Sequence, residues 1–296
     1  TGDNGLGIYA QKFDSSGKKV NSEFLVNTYT TSDQVDAKVV GLKSGDYVVT
    51  WRSQGQDGNS WGLHAQIFDS SGSKKGSEFR VAESFTSGNT IRVADLDNGG
   101  FVFVWDSGNG SGRDVFGQLY NSSGTKVGSV FCINNSHTLD MQAYPQVAGL
   151  KNGNFVAVWT SDNEISGKED EIFGQIYTPT STTVVKVGTK FHINTYGHDE
   201  QSHPTVVGLT NGWFVVSWIS NGQDGNRFGT FGQMFDSKGV KVGNEFQINT
   251  TTSQDQGYPS IGPELTALND GGFVATWISW QDPDNSVGIY AQLYNK

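Results

Sequence analysis

Cysteine occurs once in 296 residues, at Cys132, which rules out an internal disulfide and a cysteine-based zinc centre. No apolar run approaches the roughly 18 residues needed to span a bilayer, so membrane insertion is not expected. Apolar spacing at the helical period is missing too. With 39 Gly and many β-branched residues between them, almost no helix is expected. Cations are scarce and scattered: 20 Lys and Arg stand against 30 Asp and Glu, a net charge of -10. Nucleic acids and anionic lipid surfaces require clustered Lys and Arg, so neither is an expected partner. The chain also carries no HExxH, no GxSxG elbow and no Walker loop, and its five His share no metal-ligand spacing.

What it does carry is repetition. The phrases "GDYVVTW", "GGFVFVW", "GNFVAVW", "GWFVVSW" and "GGFVATW" close on Trp51, Trp105, Trp159, Trp218 and Trp277, spaced by 54, 54, 59 and 59 residues. Nine residues before each Trp stands a Leu: Leu42, Leu96, Leu150, Leu209 and Leu268. Each repeat divides into four strand-sized segments. A leads to the Leu, B is the aromatic run, C is "GLHAQIFD" and its relatives, and D is "SEFRV" or "NEFQIN". The A–B junctions, such as "DNGG" and "KNGN", predict two-residue hairpins. The C–D junctions, "DSSG", "NSSG" and "DSKG", predict a longer turn with a left-handed Gly.

Four short antiparallel strands repeated along a chain describe a β-propeller blade. The consecutive apolar residues of B fit blades covered on both faces by their neighbours. The expected fold is therefore all-β: a five-bladed β-propeller of four-stranded antiparallel blades, with residues 1–296 forming one domain. Segment C occurs six times, because the chain opens on "GIYAQKF" and closes on "GIYAQLY". Closure is expected to join the last A–B hairpin, residues 260–277, with the first D strand, residues 23–27. Residues 288–294 take the interior place. Residues 7–13 are expected as a surplus edge strand, because Lys12 stands where Ile67, Leu119, Ile176, Met234 and Leu293 are apolar; the alternative is that the first copy closes the blade and the last is displaced or lent to a neighbouring molecule.

A Gln recurs in all six C segments, at 11, 66, 118, 175, 233 and 292, always after Ala or Gly. A buried amide tying neighbouring backbone groups explains it, with the small residue letting two blades approach. His64 reads as a packed histidine and Cys132 as a tolerated free thiol. Four sequons, at Asn109, Asn121, Asn134 and Asn249, permit glycosylation.

The B–C loops and D-to-A crossovers share one face and hold the long polar segments. Gln142, Gln201 and Gln256 each stand three residues before a Pro, with Gln34 in the matching place, and Asp57 and Asp224 occupy equivalent "GQDG" positions. The candidate ligand-binding residues are Asp33, Gln34, Asp57, Trp61, Gln142, Tyr144, Gln201, His203, Asp224, Asp255, Gln256 and Tyr258. Amides and carboxylates would bond sugar hydroxyls, and the aromatics would offer an apolar platform. Asp57, Asp224, Asp282 and Asp284 are oxygen ligands suited to calcium, but none sits in an EF-hand pattern; otherwise no cofactor is expected. Plain turn capping is the competing reading of the same residues.

The stretch "WISNGQDGNRFGTFGQMFDSKGVKVGNEFQINTTTSQDQGYP", Trp218 to Pro259, resembles tandem repeats of large secreted or cell-surface proteins of bacteria and unicellular eukaryotes. The resemblance covers the whole chain and implies a propeller-like fold and a secreted or surface location. Blade number alone is similar to the tachylectin-type lectins. The expected function is a non-enzymatic binding or scaffold module, with glycans or other extracellular proteins as partners, including self-association or neighbouring domains. A structural tile of a larger assembly is the alternative, and a glycan-active enzyme using loop carboxylates is the third reading.

Overall fold

The computed structural model describes residues 5–58, 61–82, 90–108, 112–134, 141–162, 164–165, 169–257, 261–280 and 286–296. Among them lie 21 β-strands in six antiparallel sheets and no helix. The first sheet is the hairpin of β1 (Tyr9–Phe13) and β2 (Lys19–Leu25). Four complete sheets follow. They are β3 to β6 (Gln34–Gly41, Tyr47–Gln54, Trp61–Phe68, Lys74–Ala82) and β7 to β10 (Ile91–Asp95, Phe101–Gly108, Arg113–Tyr120, Lys126–Cys132). Next come β11 to β14 (Gln142–Gly149, Phe155–Ser161, Glu171–Pro179, Val184–His192) and β15 to β18 (Gln201–Gly208, Phe214–Asn221, Phe228–Phe235, Lys241–Gln247). The last sheet has three strands, β19 (Glu264–Ala267), β20 (Phe273–Ser279) and β21 (Gly288–Tyr294).

The A-B-C-D order of each complete sheet is the expected meander. The expected five closed blades are not what forms. β1 pairs directly with β2, Ala10 opposite Phe24, and β21 pairs with β20, Ala291 opposite Thr276. The two GIYAQ copies are thus C strands of two different sheets, and no sheet among the described residues joins the chain's ends. Lys12 is accommodated because its ammonium reaches out to the Ser70 carbonyl of the next sheet.

Sheets pack face to face in chain order. Trp51 and Phe68 of the second sheet receive Ile8 and Val26 of the first. Phe101, Phe103 and Trp105 pack on Leu63, Ile67 and Val81, and the same arrangement continues to the last sheet, where Phe273, Ala275 and Trp277 cover β15 to β18. Within each of the five sheets that hold a B strand, its first aromatic stacks on the last aromatic of C: Tyr47 on Phe68, Phe101 on Tyr120, Phe155 on Tyr177, Phe214 on Phe235 and Phe273 on Tyr294, at 4.5 to 5.2 Å between centroids. Each buried aromatic or aliphatic side chain contributes about 1.5–3 kcal/mol relative to exposure.

Two local expectations change. The A–B turns are three-residue loops: Gly45 N–H bonds Leu42 O at 2.9 Å, Leu42 N–H bonds Asp46 O at 2.8 Å, and only Gly45 (φ 85°) is left-handed. Asn-Gly there serves a type I turn with a glycine bulge instead of a two-residue hairpin. The small residue before the recurring Gln serves its own sheet, since a Cβ on Gly117 would lie 2.4 Å from the ring of Phe131 on the adjoining D strand. The Gln does tie backbone groups. Gln118 Nε2 donates to the carbonyls of Leu119, Val127 and Gly128 at 3.0, 3.2 and 3.4 Å, filling a bulge in the D strand.

Candidate functional site

The inner strands β3, β11 and β15 each slip register once, between Val35 and Lys38, Ala143 and Gln146, and Ser202 and Thr205. Inside each slip one non-glycine residue adopts the left-handed region: Asp36 (φ 57°), Tyr144 (φ 53°) and His203 (φ 53°). Such conformations cost on the order of 1–3 kcal/mol each and gather at functional sites. The slips lie near the strands' starting end, and Tyr144 and His203 stack on each other there, ring centroids 3.9 Å apart at 30°.

Beneath this pair lies a cavity of about 180 Å³ between the inner strands β7, β11, β15 and β19, walled by Arg92, Tyr144, Gln146, His203 and Glu264 among others. Arg92 Nε donates to Gln146 Oε1 at 2.9 Å and Nη1 to the Ile91 carbonyl at 2.8 Å. Burial lowers the Arg92 pKa, while Glu264 and Asp106 act to hold its charge. The cavity thus presents a guanidinium, a carboxylate, an amide and an aromatic pair.

Carboxylates gather around the Tyr144–His203 pair. Asp162 and Asp170 flank the B–C loop between β12 and β13, and Glu200 immediately precedes β15. The Gln201 N–H bonds the Asp170 carbonyl at 2.8 Å, which brings Asp170 alongside Glu200. Burial first, then the negative charges of Glu200, Asp162 and Glu169, push Asp170 from 3.8 up to about 6. Ser202 Oγ donates to Glu200 Oε1 at 2.6 Å and lies 3.1 Å from His203 Nδ1. With its single hydrogen given to Glu200, the hydroxyl must accept from His203 Nδ1–H, so Nε2 is the unprotonated nitrogen of the neutral ring. Burial depresses the His203 pKa, opposed by Glu200. On the neighbouring sheet Asp106 is buried; desolvation raises its pKa against bonds from Thr90 N (2.6 Å), Thr90 Oγ1 (2.9 Å) and Arg113 Nη1 (2.9 Å).

Of the candidates from the sequence, the structure brings Tyr144 and His203 together at this mouth. The four crossover Gln do not reach it. Gln34, Gln142, Gln201 and Gln256 are buried. Gln142 and Gln201 accept from the indole N–H of Trp159 and Trp218 at 2.9 and 3.2 Å, Gln34 accepts from Asn27 at 3.0 Å, and Gln256 accepts from Ser279 Oγ at 2.8 Å. They are internal ties rather than ligand groups. Asp57 also turns inward, 3.0 Å from His64 Nε2 and 3.0 Å from Arg80 Nε, and Asp224 accepts from Asn249 at 3.2 Å and from the Asn226 N–H at 3.1 Å.

Asp33 accepts from the Leu6 N–H at 2.9 Å, Trp61 lies under the Arg52 guanidinium at 4.7 Å, and Asp255 pairs with Arg227 at 3.3 Å; none is part of the mouth described above. Tyr258, Asp282 and Asp284 lie outside the described residues. Among the described residues no group of three or more His, Cys, Asp or Glu is arranged to hold a metal. Asp170, Glu200 and Arg92 were missed. The acid-rich run "DNEISGKEDE" between β12 and β13 was the available signal for the first.

No protein-family profile and no curated protein matches the chain. Solved structures do. A protein of unknown function from Dyadobacter fermentans superposes with a TM-score of 0.62 at 11% identity, covering 98% of this chain and 84% of the other. The α-L-arabinanase of Penicillium chrysogenum, complexed with arabinobiose, gives 0.60 at 15%, covering 99% and 87%. The family GH93 α-L-arabinofuranosidase of Fusarium graminearum, also with arabinobiose, gives 0.51 at 10%, covering 88% and 93%. The fold is propeller-like. These relatives lend nothing to the tachylectin analogy, and they overturn the expectation of a non-enzymatic module, since two of the three are glycosidases. At such identities the likeness concerns the fold, and any chemistry rests on this chain's own residues.

Proposed function

We propose that the chain cleaves glycosidic bonds at the mouth of its central cavity. The observation that carries this is the proximity of two acidic residues: the backbone bond from Gln201 to Asp170 sets Asp170 next to Glu200, whose charge helps raise the Asp170 pKa, near the Tyr144–His203 pair that walls the cavity. Glycoside hydrolysis requires one carboxyl group protonated near neutrality and a second ionised. Asp170, pushed up to about 6, supplies the proton to the leaving oxygen. Glu200, which accepts a hydrogen bond from Ser202, is the second carboxyl group of the pair. The sugar ring lies on the Tyr144–His203 platform, and Arg92 and Glu264 bond its hydroxyls from below. Because two structural relatives hold arabinobiose, arabinan and arabinose oligosaccharides are the first substrates to try. A polymeric glycan is met outside the cell, so secretion or surface display belongs to the same proposal.

The test is sugar release from a panel of polysaccharides beginning with arabinan, with Asp170→Asn and Glu200→Gln alongside. The expected result is turnover that each substitution lowers by about 100-fold or more. No turnover of any glycan, or full turnover by both variants, would sink the reading.

A further inference from the structure

The cavity beneath the Tyr144–His203 pair is short. It takes its walls from the starting halves of the inner strands: Arg92 on β7, Gln146 on β11, His203 and Pro204 on β15 and Glu264 on β19, with no residue further along any of them. Gln146 stands two residues past Tyr144, and a strand rises about 3.3 Å per residue, so the depth from the stacked pair to the level of Gln146 is about 7 Å.

Past that level the inner strands close on one another. A Cβ on Gly149 would lie 2.3 Å from the Asp95 carbonyl oxygen of β7, and a Cβ on Gly208 would lie 2.3 Å from the Gly149 carbonyl oxygen. Backbone lies against backbone there, with the room a side chain would need already filled. Arg92 and Gln146 form the floor, fixed by the 2.9 Å bond between them and by the 2.8 Å bond from Arg92 to the Ile91 carbonyl. The volume agrees with the depth. At about 180 Å³ the cavity falls below the roughly 300 Å³ at which pockets for drug-sized molecules begin, so it admits one sugar ring and not two. A chain continuing from the far side of that ring would run into the Arg92–Gln146 floor.

We infer that the site acts on chain ends alone: the non-reducing terminal residue fills the pocket, the bond to the next residue lies at the mouth beside Asp170 and Glu200, and a monosaccharide is released. The inference rests on the glycosidase reading above. In the step, the C1–O bond of the buried ring breaks and the departing oxygen takes the Asp170 proton. Water then supplies the hydroxyl to C1 and the proton that restores Asp170. The shortened chain leaves from the open side, and the next terminal residue enters the same way.

Product analysis early in turnover tests this, on linear arabinan or on whichever polysaccharide of the panel is cleaved fastest. Monosaccharide should be the sole early product, while the viscosity of the polymer holds nearly constant. Oligosaccharides of the same glycan reduced with borohydride should be cleaved as fast as untreated ones, because reduction leaves the non-reducing end intact. Oligosaccharides among the early products, a rapid fall in viscosity, or loss of cleavage after reduction would overturn the inference and leave the glycosidase reading standing. Absence of turnover on every glycan would remove both.

Discussion

The carboxylate of Asp57 fills the space that a side chain on Gly62 would need, since a Cβ there would lie 2.3 Å from its Oδ2. Asp224 stands in the same relation to Gly229, at 2.8 Å. In the two sheets between them, Asp114 and Glu171 occupy the Gly62 position and bring the carboxylate on the strand itself. Asn134 donates to Asp114 at 2.8 Å, and Asn194 donates to Glu171. Four sheets therefore place a carboxylate at one repeat position by two routes. Gly62→Ala should displace Asp57 from His64 and Arg80 and cost about 1–3 kcal/mol. Gly62→Asp combined with Asp57→Gly, which imitates the neighbouring sheet, should recover part of the loss. Urea unfolding midpoints measure both.

The proton on Asp170 links stability to pH. Its folded pKa is raised from 3.8 to about 6, so the folded state binds the proton more tightly than the unfolded state does. The sign follows: the stabilising contribution is complete below the unfolded value and is lost as pH rises through about 6. Asp170→Asn should flatten the pH dependence of the melting temperature across that window and raise the melting temperature at neutral pH. On the proposed mechanism, glycan cleavage should drop by about 100-fold or more in the same variant, and the wild-type rate should fall as pH rises past the Asp170 pKa.

Gln142 separates structure from ligand binding. Gln142→Leu removes the acceptor of the buried Trp159 indole N–H. An orphaned buried donor costs about 1–3 kcal/mol. The denaturation midpoint should fall accordingly, and the double variant with Trp159→Phe, which removes the donor as well, should lose less than the sum of the two single variants because the hydrogen-bond penalty is relieved.

Tyr144 joins backbone strain to the proposed sugar platform. Tyr144→Ala and Tyr144→Gly both remove the ring that stacks on His203. Glycine accepts a φ of 53° without penalty, so the Gly variant should be more stable than the Ala variant by about 1 kcal/mol. Both should lose sugar binding equally, as read by titration calorimetry with arabinose oligosaccharides.

Two sequons should stay empty. Asn134 and Asn249 are buried, and their Oδ1 atoms accept the N–H groups of Val115 and Thr230 at 3.0 and 2.7 Å. They are the recurring anchors that tie each crossover to strand C, as Asn27 and Asn194 are through Ile8 and Ile172. Glycopeptide mapping after expression in a secretory host should find both unmodified.

The Leu-to-Trp frame was legible because strand alternation and turn chemistry are local, and the four-stranded meander followed from them. The fate of the ends was not. The two GIYAQ copies differ in sequence chiefly by Lys12 against Leu293, which says which copy tolerates exposure but not whether the two belong to one sheet or to separate ones. The crossover Gln were misjudged because a polar residue in a polar loop looks solvent-facing until the indole it serves is placed. Asp170 and Glu200 lie 30 positions apart and meet through one backbone bond between a B–C loop and the next inner strand, a relation with no local spacing to betray it.

The left-handed bulges have a further consequence. Asp36, Tyr144 and His203 hold equivalent places in three repeats yet share no chemistry, and their strands pair identically on either side of the slip. Backbone geometry at the mouth is thus decoupled from side-chain identity. Selection can rewrite the rim one residue at a time, from acid to phenol to imidazole, without renegotiating the sheet beneath it.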